Sequence, residues 1–197
     1  MNLRPAIVEG IGTFLLSFVV LAGTHDLIGF LPTPLAAGLT LGVFVYVAGN
    51  ISGAHINPAV TIALASIRKI SNSQAALYVV AQLLGGLLAH TIFKGFHELN
   101  GSGVVSNNGT MFFEAIGTFV LLFGIAAVVH GKVEKAAAGM AIGGSLLIGI
   151  LIASVVGAGA LNPAVALALW SLNPATILGP IAGGIASVWV FKMLVQE

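Results

Sequence analysis

The 197-residue sequence contains no cysteine and very few charged residues. Only 7% of the residues are Asp, Glu, Lys or Arg, whereas soluble domains carry roughly 25%. A chain with so little charge cannot form a water-facing surface, and its hydrophobic content of 58% indicates an integral membrane protein. The absence of cysteine excludes disulfides, thiolate metal ligands and thiol nucleophiles.

The residues that carry most enzyme chemistry are scattered along the chain. Asp26 is the only aspartate, and the five histidines do not cluster in the sequence. Zinc needs three or four ligands, and a catalytic site needs a nucleophile, a base and an orienting group close together. We therefore expect no enzyme activity, no metal site and no cofactor. The net charge of +1 also gives no polybasic patch, so we expect no nucleic-acid partner.

The spacing of the charges predicts membrane spans. A helix needs about 20 apolar residues to cross a hydrocarbon core of about 30 Å. One such span fits between Arg4 and Asp26, one fits residues 70–93, and one fits residues 110–129. Crossing once per span from a cytoplasmic N-terminus leaves only Lys94 outside, which satisfies the positive-inside rule. We therefore expect cytoplasmic N- and C-termini and insertion in the plasma (cell inner) membrane.

Two charge-free runs, residues 27–67 and 136–191, are longer than the spans they must contain. In this orientation the first run crosses once and the second crosses twice, so each has about 16 to 20 apolar residues left over. Each surplus contains Asn-Pro-Ala, in "SGAHINPAV" and in "GALNPAV". Non-helical backbone at membrane depth is tolerated only where it is buried in protein or lines a wet cavity. The surpluses therefore predict two re-entrant loops, each continued by a half-helix.

An internal repeat shows which Asn-Pro-Ala copies belong together. "VEGIGTF" around Glu9 recurs as "FEAIGTF" around Glu114, 105 residues later, and Asn57 and Asn162 are separated by the same 105 residues. Asn173 begins a third copy that is out of phase, so we interpret it as the start of the last span. The sequence predicts one membrane channel domain over residues 1–197, with repeat 1 at about 1–100 and repeat 2 at about 106–197. Three spans per repeat invert the second half.

Each Asn-Pro-Ala triplet is typical of the start of a helix. Proline suits the first helical position, and asparagine is a favoured N-cap. Two inverted half-helices would bring their positive ends together at the midplane, where the asparagine amides can donate to a permeant and cations are repelled. The paired sites are Asn57-Pro58-Ala59 and Asn162-Pro163-Ala164.

The chain resembles the aquaporin and aquaglyceroporin family, the major intrinsic proteins. The motifs that carry the resemblance are "VEGIGTF", "SGAHINPAVTIA", "AQLLGG", "FEAIGTF", "GALNPAVALA" and "GPIAGG", in the family's order. The resemblance implies an all-α membrane protein with six transmembrane helices, two re-entrant half-helices and inverted three-span repeats. It also implies a pore in each protomer of a homotetramer. In the family, glutamates matching Glu9 and Glu114 support the loops. His55 matches a histidine common in the family's first loop, and we interpret it as a loop-bracing or gating-side residue rather than one that sets pore specificity.

The resemblance also locates an unusual constriction. Most family members have an arginine directly after the second Asn-Pro-Ala, and here that residue is Val165. The other constriction positions fall on Ala37, Ile150 and Gly159. An uncharged ring of this kind either widens to admit glycerol, urea, ammonia or metalloid hydroxides, or dewets and conducts poorly. We expect the wide ring, because Ala37 and Gly159 are small.

The sequence leaves other membrane functions open. An ion-coupled or facilitative secondary transporter can also be built from inverted repeats around a midplane site, although here only Glu9 and Glu114 are candidate coupling residues. A structural membrane protein of the same fold with a closed pore is the other alternative. The expected partners of a channel are small neutral permeants and the lipid bilayer.

Overall fold

The computed structural model describes residues 3–99, 104–156 and 159–195, and all regular structure there is helical. Six helices are long and two are short, as the sequence predicts. Two 3₁₀ turns, Lys135–Ala137 and Ser154–Val156, extend the sixth helix at its two ends. The helices in chain order are α1 Leu3–Thr24, α2 Thr33–Ser52, α3 Pro58–Ser66, α4 Asn72–Lys94, α5 Asn108–Val129, α6 Ala138–Ala153, α7 Pro163–Ala168 and α8 Pro174–Val195.

Local sequence signals set several helix ends. Ser71 and Asn107 cap α4 and α5 by accepting hydrogen bonds from the backbone N–H groups of Gln74 and Thr110. Helix α2 ends at Ser52, and the next residue, Gly53, caps it with a φ of 92°, a left-handed conformation that glycine adopts at little cost. The chain can therefore leave α2 sharply and enter the first re-entrant loop.

Six helices have the length and apolar composition to cross a membrane: α1, α2, α4, α5, α8, and α6 together with its flanking 3₁₀ turns. This confirms the predicted number of spans. The short helices α3 and α7 fill the surplus in the two long charge-free runs. One surface cleft is lined by Lys69 just after α3, by Lys132 just after α5 and by Lys192 near the end of α8. We call the side of the bundle with this cleft the basic face.

Small residues allow the long helices to pack closely. A Cβ atom at Gly183 of α8 would lie 2.8 Å from the Cα of Ala115 on α5, and one at Gly38 of α2 would lie 2.7 Å from the carbonyl oxygen of Gly143 on α6. Gly85 of α4 lies equally close to the backbone of α1. Each short helix packs on the last span of the other half, α3 on α8 and α7 on α4. This exchange holds the two short helices at the centre of the bundle.

Candidate pore

Asn57 and Asn162 are the N-caps of the two short helices. The Asn57 side-chain oxygen accepts a hydrogen bond from the Ala59 N–H at 2.8 Å, and the Asn162 oxygen accepts one from the Ala164 N–H at 3.0 Å. Pro58 and Pro163 occupy the first helical positions, where a missing N–H costs nothing. Each triplet thus forms the helix start that its sequence predicts.

The same two side chains join the short helices end to end. The Asn57 amide nitrogen donates to the carbonyl oxygen of Leu161 at 2.8 Å, and the Asn162 amide nitrogen donates to that of Ile56 at 2.9 Å. These bonds cross between the repeats in both directions. An asparagine amide has two N–H groups, and the bond to the opposite loop uses one of them. The second N–H of each asparagine is therefore available to a molecule beside it.

The residues that supply these carbonyl groups have an unusual backbone conformation. Ile56 has φ 39° and Leu161 has φ 49°, both in the left-handed region. Such conformations cost on the order of 1–3 kcal/mol for non-glycine residues and persist only where the surroundings enforce them. This conformation directs the Ile56 carbonyl group toward Asn162 and the Leu161 carbonyl group toward Asn57. The repeat motif gives no sign of this conformation in advance.

Glu114 holds the second loop. Its carboxylate oxygens accept hydrogen bonds from three consecutive backbone N–H groups, those of Gly159 at 2.7 Å, Ala160 at 2.9 Å and Leu161 at 2.8 Å. Glu114 itself is fully buried in α5. A buried N–H without a partner is costly, so the carboxylate stabilises the loop in the conformation that presents these three N–H groups. That stabilisation offsets the cost of the left-handed backbone at Leu161.

Glu9 holds the first loop through a larger network. Its carboxylate accepts from the backbone N–H groups of His55 and Ile56, from the Ser52 hydroxyl and from the Gln82 amide. The Gln82 amide also donates to the Thr61 hydroxyl at 2.9 Å. The first loop is therefore braced by a network of side chains from four helices, α1 to α4, whereas the bonds to Glu114 come from backbone groups alone.

His55 joins this network at the edge of the cavity. Its Nδ1 atom lies 3.1 Å from the Thr61 hydroxyl, and its ring packs edge-on against Tyr78 at 5.4 Å between centroids. His55 is half-buried and also lines the cavity described below. It is thus placed both to brace the first loop and to contact a permeant.

A cavity of about 250 Å³ runs beside both asparagines. Its lining includes Asn57, Asn162 and His55. It also includes all four positions expected to form the constriction: Ala37, Ile150, Gly159 and Val165. Ala37 is 1% exposed and Val165 is 3% exposed. No charged side chain lines this cavity among the described residues. Pro58, Ala59, Pro163 and Ala164 lie outside its lining, inside the short helices that position the asparagines.

Several polar lining residues were not found from the sequence. Ser154, one turn beyond Ile150, and Thr24 and Ser171 near the mouth line the cavity. Their hydroxyl groups donate to backbone carbonyl groups of their own segments, Ser154 to Ile150 at 2.7 Å. Their oxygen atoms therefore face the cavity mainly as acceptors. Ser154 and Thr24 each follow a lining residue, Ile150 and Val20, by one helical turn, and this spacing is the signal that could have identified them; Ser171 lies in the loop after α7 and has no such signal.

The third triplet starts α8, as the sequence predicts. Helix α8 begins at Pro174, and the Asn173 side-chain oxygen accepts from the N–H groups of Ala175 at 3.0 Å and Thr176 at 3.2 Å. Asn173 does not line the cavity. Its amide nitrogen donates to the carbonyl oxygens of Val104 and Ser171, two residues that do.

A bundle of six apolar helices around an uncharged cavity, with two short helices meeting beside it, defines a membrane channel. The sequence model of the major intrinsic proteins matches residues 1–191. Nodulin-26 of Glycine max is 37% identical over 98% of this chain and 78% of its own length, and aquaporin NIP1-1 of Arabidopsis thaliana is 35% identical over 96% and 73%. The X-ray structure of the aquaglyceroporin from Plasmodium falciparum superimposes with a TM-score of 0.72 and 26% identity, covering 98% of this chain and 95% of that one.

This chain belongs to the major intrinsic protein family. It is an integral membrane channel for water or small solutes and not an enzyme.

Proposed function

We propose that this chain is a passive channel with an uncharged, wide constriction that admits neutral solutes larger than water. The solutes we expect are glycerol, urea, ammonia and neutral metalloid hydroxides. The observation that carries this proposal is that Val165 lines the cavity together with Ala37 and Gly159, which belong to other segments. These three side chains are small and carry no charge, so a permeant meets neither a guanidinium group nor an aromatic ring there.

The polar lining supports a wet conduit. An apolar ring that is also narrow would exclude water, but here Asn57 and Asn162 offer N–H donors, and the hydroxyls of Thr24, Ser154 and Ser171 offer acceptors. A polyol carries hydroxyl groups that donate and accept, so it can replace its hydration at both kinds of group. The apolar side chains between them contact its carbon atoms.

Cation exclusion in this proposal depends on the centre of the pore. Without an arginine in the constriction, the positive ends of α3 and α7 and the amides of Asn57 and Asn162 form the barrier. Helix α3 has nine residues and α7 has six, so the dipole of α3 is the larger of the two. Glu9, Glu114 and His55 act in support by holding the loops that aim these groups.

The whole chain forms one channel domain, with inverted halves at about residues 1–100 and 106–197. We place both termini in the cytoplasm, at the basic face, and the protein in the plasma (cell inner) membrane. Like the family to which it belongs, the chain assembles as a homotetramer with one pore per protomer. The charge distribution supports the orientation, because Lys69, Lys132 and Lys192 lie together at one face.

Stopped-flow light scattering on reconstituted vesicles tests the proposal. We expect vesicles that contain the protein to pass water, glycerol and urea faster than protein-free vesicles, with no dependence on an imposed proton gradient. Water flux without glycerol or urea flux would contradict the wide constriction. Solute flux that requires a proton gradient would indicate a coupled transporter, and no flux of any kind would indicate a closed pore.

A further inference from the structure

Asn173 uses its side chain as Asn57 and Asn162 do. In all three, the amide oxygen caps the asparagine's own helix and the amide nitrogen donates to the carbonyl group of a distant segment. For the paired asparagines that segment is the opposite re-entrant loop. For Asn173 it is the short stretch before α5, where the Val104 carbonyl oxygen accepts at 3.2 Å. The third Asn-Pro-Ala therefore ties a different piece of chain to the bundle.

The tied segment forms part of the rim of the cavity. Val104 lines the cavity together with Leu169 and Ser171. It lies between the end of α4 and the start of α5, whereas Lys69 and Lys132 lie at the opposite ends of these two helices, so this part of the lining is at the mouth away from the basic face. Asn173 also donates to the Ser171 carbonyl oxygen at 3.1 Å. One amide group thus holds two residues of the rim at a fixed separation.

Asn173 is itself held in place by its neighbours. Its backbone N–H donates to the Thr176 hydroxyl at 2.9 Å, and its side-chain oxygen accepts from the Thr176 N–H at 3.2 Å. The Thr176 hydroxyl is 2.9 Å from the Ser171 carbonyl oxygen. With both ends of its amide engaged, Asn173 has little freedom to release Val104.

We propose that Asn173 is a positioning residue of the pore, whose amide holds Val104 at the rim so that the mouth restricts solutes by size. This inference rests on the proposed permeation of neutral solutes. It assigns to the third triplet a role separate from that of the paired triplets. The residue acts through Val104 and Ser171 and does not itself face the cavity.

Aspartate separates the two roles of this side chain. Asn173→Asp keeps a good N-cap for α8, because aspartate and asparagine cap helices about equally well. It removes both N–H donors and places a carboxylate beside two carbonyl oxygens, so the tie to Val104 is lost. Asn173→Ser also keeps a cap and removes the amide without adding charge.

Asn107→Asp is the matched control for charge. Asn107 caps α5 by accepting from the Thr110 N–H at 2.8 Å, and it lies three residues from Val104. Aspartate there keeps the cap and adds the same negative charge near the same mouth. It leaves the bond between Asn173 and Val104 in place.

The first measurement is the ratio of erythritol to water permeability in reconstituted vesicles. We expect Asn173→Asp and Asn173→Ser to raise this ratio by about fivefold, which corresponds to about 1 kcal/mol for the hydrogen bond to Val104, the one that ties the separate segment to the rim. Asn107→Asp should leave the ratio unchanged. An unchanged ratio in both Asn173 variants would overturn the role in size selection.

The second measurement does not depend on solute flux. The chain has no cysteine, so Val104→Cys introduces a single thiol at the rim. We expect a membrane-impermeant maleimide to modify this thiol about fivefold faster when Asn173→Ser is also present. An unchanged rate would overturn the tie itself. If the parent channel passes no glycerol, the proposed function fails, and the thiol rate still tests the contact.

Discussion

Replacing Val165 with arginine should reduce glycerol permeability by at least about tenfold, a loss equivalent to about 1.4 kcal/mol in the barrier to permeation. Val165 lines the same cavity as Gly159 and Ile150, so the much longer arginine side chain would occupy space that a three-carbon solute needs. The guanidinium group would also bind water and nearby carbonyl oxygens tightly. Water permeability should fall less, because a water molecule is small enough to pass the group. Stopped-flow measurements of both permeants check the expected change in their ratio.

Val165→Met is the matched control for this substitution. Methionine is unbranched, longer than valine and uncharged, although shorter than arginine, so it shows how much of the loss comes from filling the cavity without a cation. We expect an intermediate loss of glycerol flux for methionine and a lower cation leak only for arginine. If arginine left glycerol permeability at the level of the unchanged channel, Val165 would not face the path of the solute.

Removing the Glu114 carboxylate should abolish conduction. In Glu114→Ala, three consecutive backbone N–H groups of the second loop lose their acceptor. The buried Leu161 N–H alone costs about 1–3 kcal/mol when unpaired. Leu161 also supplies the carbonyl group that holds Asn57, so a shifted loop would disturb both halves of the site. We expect flux at the level of protein-free vesicles and a lower unfolding temperature in detergent.

Thr118→Ala is the control for a change on the same helix. Thr118 is buried one turn beyond Glu114, and its hydroxyl has no hydrogen-bond partner among the described residues. Removing it eliminates an unpaired polar atom and leaves the loop bonds intact, so stability and flux should change little. Wild-type flux and an unchanged unfolding temperature in Glu114→Ala would rule out the supporting role of this carboxylate.

The number of membrane spans and the pairing of the two short helices can be predicted from the sequence alone. Charge-free runs define the spans, since burying a charge in lipid is costly, and the offset between Asn57 and Asn162 identifies the paired short helices. The repeat also distinguishes these two residues from Asn173. These inferences depend on composition and spacing, which a single sequence records.

The contacts around the loops depend on tertiary packing, so the sequence does not reveal them. The left-handed conformations of Ile56 and Leu161 oppose the local preference of these residues. Gln82 joins Glu9 to Thr61 only because α4 packs against α1 and α3. The bond from Asn173 to Val104 spans 69 positions and has no counterpart in the repeat.

The most direct test of the pore uses the absence of cysteine from this chain. Val165→Cys changes the side chain little and places one thiol in the cavity beside Asn162. We expect the variant to pass water and glycerol until a mercury reagent is added, and then to fall to the level of protein-free vesicles, while the cysteine-free parent is unaffected. Undiminished flux after complete modification of the thiol would contradict a conduit that passes Val165 and the two asparagines.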